Sequence, residues 1–147
     1  GQREFESAFA EIAKQHPSNT SIQIRYDNRM AHRIEAASDF FVMPSHFEPC
    51  GLNQMYSLRY GAIPIVRRTG GLDDSVVDAT DELEAANGVK FADYSAGALV
   101  KALHKGLALA GTPELLQHYR LNGMNADFSW DKSAAEYLSV YDQLLRS

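Results

Sequence analysis

SHFEPCGLNQMYSLRYG, residues 45–61, follows one apolar run, DFFVMP (Asp39 to Pro44), and precedes another, AIPIV (Ala62 to Val66). A short run rich in Phe and Val and closed by Pro reads as a parallel strand covered on both faces. Beyond the loop, Leu52, Met55, Tyr56 and Tyr60 fall near helical spacing, and Gly61 suits the residue that ends a helix. The stretch therefore predicts strand, loop, helix. A loop at the carboxyl end of a parallel strand, opening a helix, is where such sheets bind ligands. Free N–H groups at Gly51, Leu52, Asn53 and Gln54 would face an anion, and Gly51 would let a phosphate approach the backbone.

Upstream, Phe5, Phe9 and Ile12 recur at helical spacing, so Arg3 to Gln15 reads as an amphipathic helix closed by His16-Pro17. SIQIRY (Ser21 to Tyr26) alternates apolar and polar residues and predicts a strand. Asp27 or Asn28 can cap a following helix with Met30, Ile34 and Ala37 on its buried face. Downstream, AIPIV predicts a strand whose Pro64 favours an edge or end position. Arg67 to Leu72 reads as a loop, and the acidic, Ala-rich Asp73 to Asn87 as an irregular surface excursion. GVKFA (Gly88 to Ala92) makes a last strand. Ser95, Thr112-Pro113 and Ser129 start three helices, the first carrying Leu99, Leu103 and Leu107, and the last burying Ala134, Leu138, Tyr141 and Leu145. Strands alternating with helices predict an α/β fold, a Rossmann-like parallel sheet with flanking helices. A doubly wound sheet normally opens with a strand, whereas this chain opens with a helix, so a first strand is expected upstream of Gly1.

The 147 residues fit one domain, and 45% apolar with 22% charged content is ordinary for a globular protein. A net charge of −5 without a dense Lys/Arg cluster argues against a nucleic-acid face. No apolar run approaches transmembrane length, so no membrane partner is expected. The single cysteine, Cys50, allows no intramolecular disulfide, which suits a reducing compartment.

Glu48 stands between Phe47 and Pro49 just past the buried strand. Its carboxylate suits a helix cap or an arginine partner, and equally a set of sugar hydroxyls, each such charge-assisted bond being worth about 1.5–3 kcal/mol. Cys50 reads as a small packed thiol, with His46 the only nearby base, and its backbone N–H is the more interesting group. Thr69, Gly70 and Gly71 follow a strand and are further candidates, although two adjacent glycines also make a plain turn. Tyr26, at a predicted strand end, could stack on a base or pack at the rim of a core. The five histidines show no pair at ligand spacing within one helix turn, so no metal is predicted, and no Walker loop or Ser-His-Asp pattern occurs.

PSHFEPCGLNQMYSLRYGAIPIVRRTGGLDDSV (Pro44 to Val76) resembles the signature block of the bacterial glycogen synthases and plant starch synthases. The resemblance runs upstream through IQIRYDNRMAHRIEAASD and downstream to DFSW, which covers essentially the whole chain. It implies that residues 1–147 are most of the C-terminal, nucleotide-sugar-binding domain of a two-domain glycosyltransferase of the GT-B type. The implied reaction moves glucose from ADP-glucose to the non-reducing end of an α-1,4-glucan (glycogen or starch) with retention and without a cofactor or metal. By the same resemblance Glu48 would hold the hydroxyls of the transferred glucose. The backbone at Cys50, Gly51, Leu52 and Asn53 would hold sugar and diphosphate, and Tyr26 would stack on adenine.

Two positions depart from the wider pattern: Tyr56 stands where related transferases often carry a second Glu, and Asn53 where a Thr is expected. The N-terminal partner domain and the basic residues that neutralise the diphosphate are expected outside this chain, which by itself should be inactive. The alternatives are a nucleotide-sugar-binding module without catalysis and another α-glucan or nucleotide-sugar transferase on the same fold. The resemblance implies a bacterial cytoplasmic setting, or a plastid if the source is a plant.

Overall fold

The computed structural model describes residues 2–146, which divide into two compact units, the first ending at Ala31 and the second beginning at His32. In the first unit, α1 (Arg3–Gln15) is followed by a turn, an irregular segment and the start of α2 (Asn28–Ala37). Asp27 caps α2, its Oδ1 accepting from the Met30 N–H at 3.0 Å. The strand predicted for Ser21 to Tyr26 does not form. A strand needs a neighbour to take its N–H and C=O groups, and among the described residues none pairs with this segment. Tyr26 therefore stands in irregular backbone and not at a strand end. Alternation alone does not make a strand.

The second unit holds β1 (Phe40–Met43), α3 (Asn53–Tyr60), β2 (Ile63–Arg67), α4 (Gly70–Ser75), β3 (Val89–Phe91), α5 (Ala96–Ala110), α6 (Pro113–Asn125) and α7 (Trp130–Arg146). The three strands are parallel in the order β1-β2-β3, with Phe40 opposite Ile63 and Ile65 opposite Val89. The predicted roles of the first two strands are exchanged. β1 is an edge of this sheet with Val42 40% exposed, whereas β2, with Pro64 inside it, is central and buried. Pro64 is tolerated there because N–H groups along a parallel strand alternate sides. The Ile63 N–H faces β1, donating to the Asp39 carbonyl at 2.9 Å. The N–H that Pro64 lacks would face the other side, where β3 begins only opposite Ile65.

Alternate residues of β2 serve two layers. Ile63 and Ile65 pack with Leu109, Tyr119 and Ala102 of α5 and α6, and Val66 packs with Leu72 and Val76 on the opposite face. Each such buried aliphatic side chain stabilises the fold by about 1.5–3 kcal/mol. α3 ends as predicted, with Gly61 left-handed at φ 80°. The face α3 buries is not the apolar one its spacing suggests: Gln54, Ser57 and Leu58 are inside, while Leu52, Tyr56 and Tyr60 are exposed.

Ser95 and Ser129 cap α5 and α7, accepting from the Ala98 and Lys132 N–H groups at 3.2 and 3.4 Å. Thr112 makes no side-chain cap bond, and Pro113 alone marks the start of α6. The predicted buried faces of α2 and α7 do not materialise. Ile34, Leu138, Tyr141 and Leu145 are exposed, and Glu35 is the buried residue of α2.

The excursion predicted between Asp73 and Asn87 is ordered from within, and its first residues belong to α4. Lys90, with its side chain 5% exposed, pairs with Asp73 and Asp81 at 2.7 Å each, and Arg68 reaches the same two carboxylates at 3.1 and 2.6 Å. Asp78 accepts from the Lys90 N–H at 2.7 Å and from both the N–H and the hydroxyl of Thr80. Hydrogen bonds from Lys90 and Arg68 hold the Asp81 carboxyl far below the usual carboxylate range. Burial pushes Asp78 up, but its hydrogen bonds from Lys90 and Thr80 more than offset this and leave it lowered.

Candidate donor-binding loop

Residues 44–52 leave the carboxyl end of β1 and enter α3, as the strand-loop-helix pattern predicts. Nearly every carbonyl of this loop is bonded to protein. Arg67 donates to the Ser45 and His46 carbonyls, the Gly71 N–H reaches those of Glu48 and Pro49 at 3.1 and 3.2 Å, and Gln54 Nε2 reaches those of Cys50 and Gly51, both at 3.1 Å. In a planar trans peptide the N–H of one residue points opposite to the carbonyl before it. Fixing the carbonyls of Pro49, Cys50 and Gly51 inward therefore turns the N–H groups of Cys50, Gly51 and Leu52 outward. Among the described residues these groups, and the N–H groups of Asn53 and Gln54 in the first turn of α3, meet no acceptor. Five unbonded donors at a helix N-terminus, three of them on the exposed residues Cys50, Leu52 and Asn53, favour an anion.

Gln54 combines two places in this arrangement. Its backbone N–H meets no acceptor although the whole residue is buried, and its side chain also donates to Ser75 Oγ at 3.1 Å, tying the loop to α4. Gly51, at φ 69°, sits where a Cβ would run into that side chain. Gly70 and Gly71 have a packing duty: a Cβ on either would overlap the Glu48 or Cys50 carbonyl, so α4 meets the loop backbone to backbone. That contact was not legible in a bare pair of glycines. Thr69 precedes α4 as its cap residue, without a side-chain cap bond.

The Glu48 carboxylate, half-buried, meets no hydrogen-bond or ion-pair partner among the described residues, so neither a cap nor an arginine holds it. The Cys50 thiol is exposed and free. Concavities of about 400 and 530 Å³ lie beside the loop, the first lined in part by Pro49, Cys50 and Lys132, the second by Leu52, Tyr56 and Trp130. Glu48 and Asn53 line neither. Tyr26 belongs to the first unit and is 95% exposed. The sequence pattern missed Arg67 and the buried Gln54 amide as the groups that set the loop, since both act by hydrogen bonds to backbone that no motif displays.

Residues 1–125 match the family described as glycosyl transferases group 1. The chain belongs to that family. Within it, the chain is 45% identical over 141 residues to a glycogen synthase of Syntrophotalea carbinolica, covering 96% of this chain and 29% of that protein. It is 47% identical over 148 residues to glycogen synthase 1 of Methylococcus capsulatus, covering 99% of this chain and 30% of that one. The catalytic domain of starch synthase IV from Arabidopsis thaliana, solved bound to ADP and acarbose, superposes with a TM-score of 0.79 at 37% identity over 99% of this chain and 30% of that one. Sucrose-phosphate synthase from Thermosynechococcus elongatus shares the fold, with a TM-score of 0.65 at 21% identity over 95% of this chain and 34% of that one. The chain thus spans about three tenths of the length of the curated relatives it matches. The second unit has the parallel α/β architecture expected, and among the described residues no helix is long and apolar enough to cross a membrane.

Proposed function

We propose that this chain is the donor-binding, C-terminal domain of a glycogen (starch) synthase that transfers glucose from ADP-glucose to the non-reducing end of an α-1,4-glucan with retention. The observation that carries the proposal is the loop of residues 48–54: its carbonyls are spent inward, its N–H groups are open, and an unpartnered carboxylate stands beside them. The glycogen synthase relatives and the ADP and acarbose of the starch synthase neighbour support the choice of donor and acceptor. The remaining seven tenths of the relatives' length supplies the other domain and closes the site over Glu48 and Asn53. The bacterial relatives favour the bacterial cytoplasm as the setting.

In this proposal the diphosphate lies on the N–H groups of Gly51, Leu52 and Asn53, with Cys50 and Gln54 at its margins, and Thr69 to Gly71 brace the loop. Two anions cannot share one place, so Glu48 faces the glucose hydroxyls. In the transfer, the C1–O bond to the diphosphate breaks and ADP leaves with the electron pair. The acceptor hydroxyl adds to C1, and its proton passes to the departing diphosphate oxygen. Positive charge grows on the sugar ring at the transition state, and a nearby carboxylate stabilises it more than it stabilises the ground state.

The test is Glu48→Gln in the full-length protein that carries this sequence. Glucose incorporation from ADP-glucose into glycogen should lose at least ~10²-fold in kcat. Affinity for ADP, which has no glucose, should change little. Wild-type kcat in the Gln variant would make Glu48 structural. A loss of ADP affinity with kcat intact would place it on the phosphates instead.

A further inference from the structure

Arg67, the last residue of β2, reaches out of the sheet to the loops that follow both neighbouring strands. On the β1 side its Nε donates to the Ser45 carbonyl at 2.8 Å and one Nη to the His46 carbonyl. On the β3 side its other Nη reaches the Ala92 carbonyl at 3.4 Å, and the guanidinium lies 5.6 Å from the Tyr94 ring centre. The circle closes through His46, whose ring meets that of Tyr94 edge-on at 4.7 Å. Glu48 is thus fixed from two directions, by Arg67 through the two carbonyls at 45 and 46, and by Gly71 through its own carbonyl.

We propose that Arg67 is a positioning residue for transfer: it sets the start of the donor loop, and so the place of the Glu48 carboxylate and of the N–H groups after it, without touching the donor. The proposal rests on the donor-binding reading above. Its chemistry requires a guanidinium. A planar fork with a permanent charge can serve two successive carbonyls and lie against an aromatic ring at once, whereas a lysine ammonium is a single point on a flexible stem. Neighbouring Arg68 has no such role, because its fork is committed to Asp73 and Asp81.

The experiment compares wild type with Arg67→Lys and Tyr94→Phe in the full-length protein that carries this sequence. Phe47, exposed in the middle of the loop, is a chymotrypsin site, and native-state cleavage there reports loosening of the clamp. Arg67→Lys should speed cleavage at Phe47 about tenfold and raise the ADP dissociation constant about tenfold, the loss of one charge-assisted hydrogen bond, with the melting temperature nearly unchanged. Tyr94→Phe, which keeps the ring, should match wild type in both. Unchanged cleavage and affinity in Arg67→Lys would overturn the proposal. So would a loss of affinity that merely tracks a fall in melting temperature, which would make Arg67 a residue of general stability. If the wild type itself binds no ADP while Arg67→Lys still opens the loop, the donor-binding reading fails and the clamp stands.

Discussion

The loop of residues 45–52 and the segment from Asp73 to Asn87 both run outside the strands, yet they use their polar groups in opposite ways. In the loop the carbonyls are bonded while the N–H groups and the Glu48 carboxylate stay open. In the segment the side chains carry the bonds: Asp73 and Asp81 hold Lys90 and Arg68, Asp78 takes the Lys90 N–H, and Asn87 Oδ1 takes the Val77 N–H at 2.9 Å. Folded chains satisfy nearly all their buried polar groups, so a place where several convergent donors are left over is a place for a ligand. Within that network the carboxylates of Asp73, Asp78 and Asp81, for all their charge, have little left to offer one. Charge density is a poor guide to a site, and unspent hydrogen-bonding capacity is a better one.

The sharpest way to break this contrast is to unpair Lys90. Replacing both partners, Asp73→Asn with Asp81→Asn, leaves a buried ammonium without a carboxylate and should cost about 3–5 kcal/mol in urea denaturation. Lys90→Met removes the buried charge itself and should cost less than the double variant. A loss below about 1 kcal/mol in the double variant, the range of exposed pairs, would show that the network is surface decoration.

A smaller effect is expected at Tyr26, which extends the comparison to the first unit. Its ring is 95% exposed and makes no ring contact among the described residues, so it too is unspent. A stacked base is worth about 1–3 kcal/mol by alanine substitution. In the full-length protein Tyr26→Ala should weaken the free energy of ADP binding by that amount, and Tyr26→Phe should leave it near wild type. Equal affinities of wild type and Tyr26→Ala by calorimetry would remove the stacking role.

The parts of this molecule legible in the sequence are those fixed by local rules. β1, the loop after it, α3 with its glycine end, and the serine caps of α5 and α7 all follow from apolar runs, turn residues and caps. The illegible parts depend on partners distant in the chain. Pro64 is central because β3 starts one residue late, and SIQIRY makes no strand because no neighbour pairs with it. Gln54 and Glu35 are buried although their types predict exposure. At the site, the residue types of Glu48 to Gln54 were visible, while the inward pinning by Arg67, Gly71 and the Gln54 amide was not, because a hydrogen bond to a backbone carbonyl leaves no motif.

The smallest effect separates two buried or bonded carboxyls by pH. Asp81 is held low by Lys90 and Arg68, so the folded state binds its proton less readily than the unfolded chain. The stability it contributes is full above the ordinary carboxylate range, near pH 4, and drains as pH falls toward the depressed folded value. Glu35 has the opposite sign. Burial raises it, with His32 at 3.5 Å pulling part of the way back, so the folded state holds its proton more tightly than the unfolded chain. Its contribution improves as pH falls through the raised value and levels off below the ordinary one. Melting temperatures measured from pH 7 downward should therefore show a slight gain from Glu35 before the acid loss from Asp81. Glu35→Gln should flatten the upper limb alone, and Asp81→Asn the acid limb alone. If Asp81→Asn leaves the acid limb as steep as wild type, the ion network between Asp73 and Lys90 is not what acid dismantles, and the contrast with the loop loses its electrostatic half.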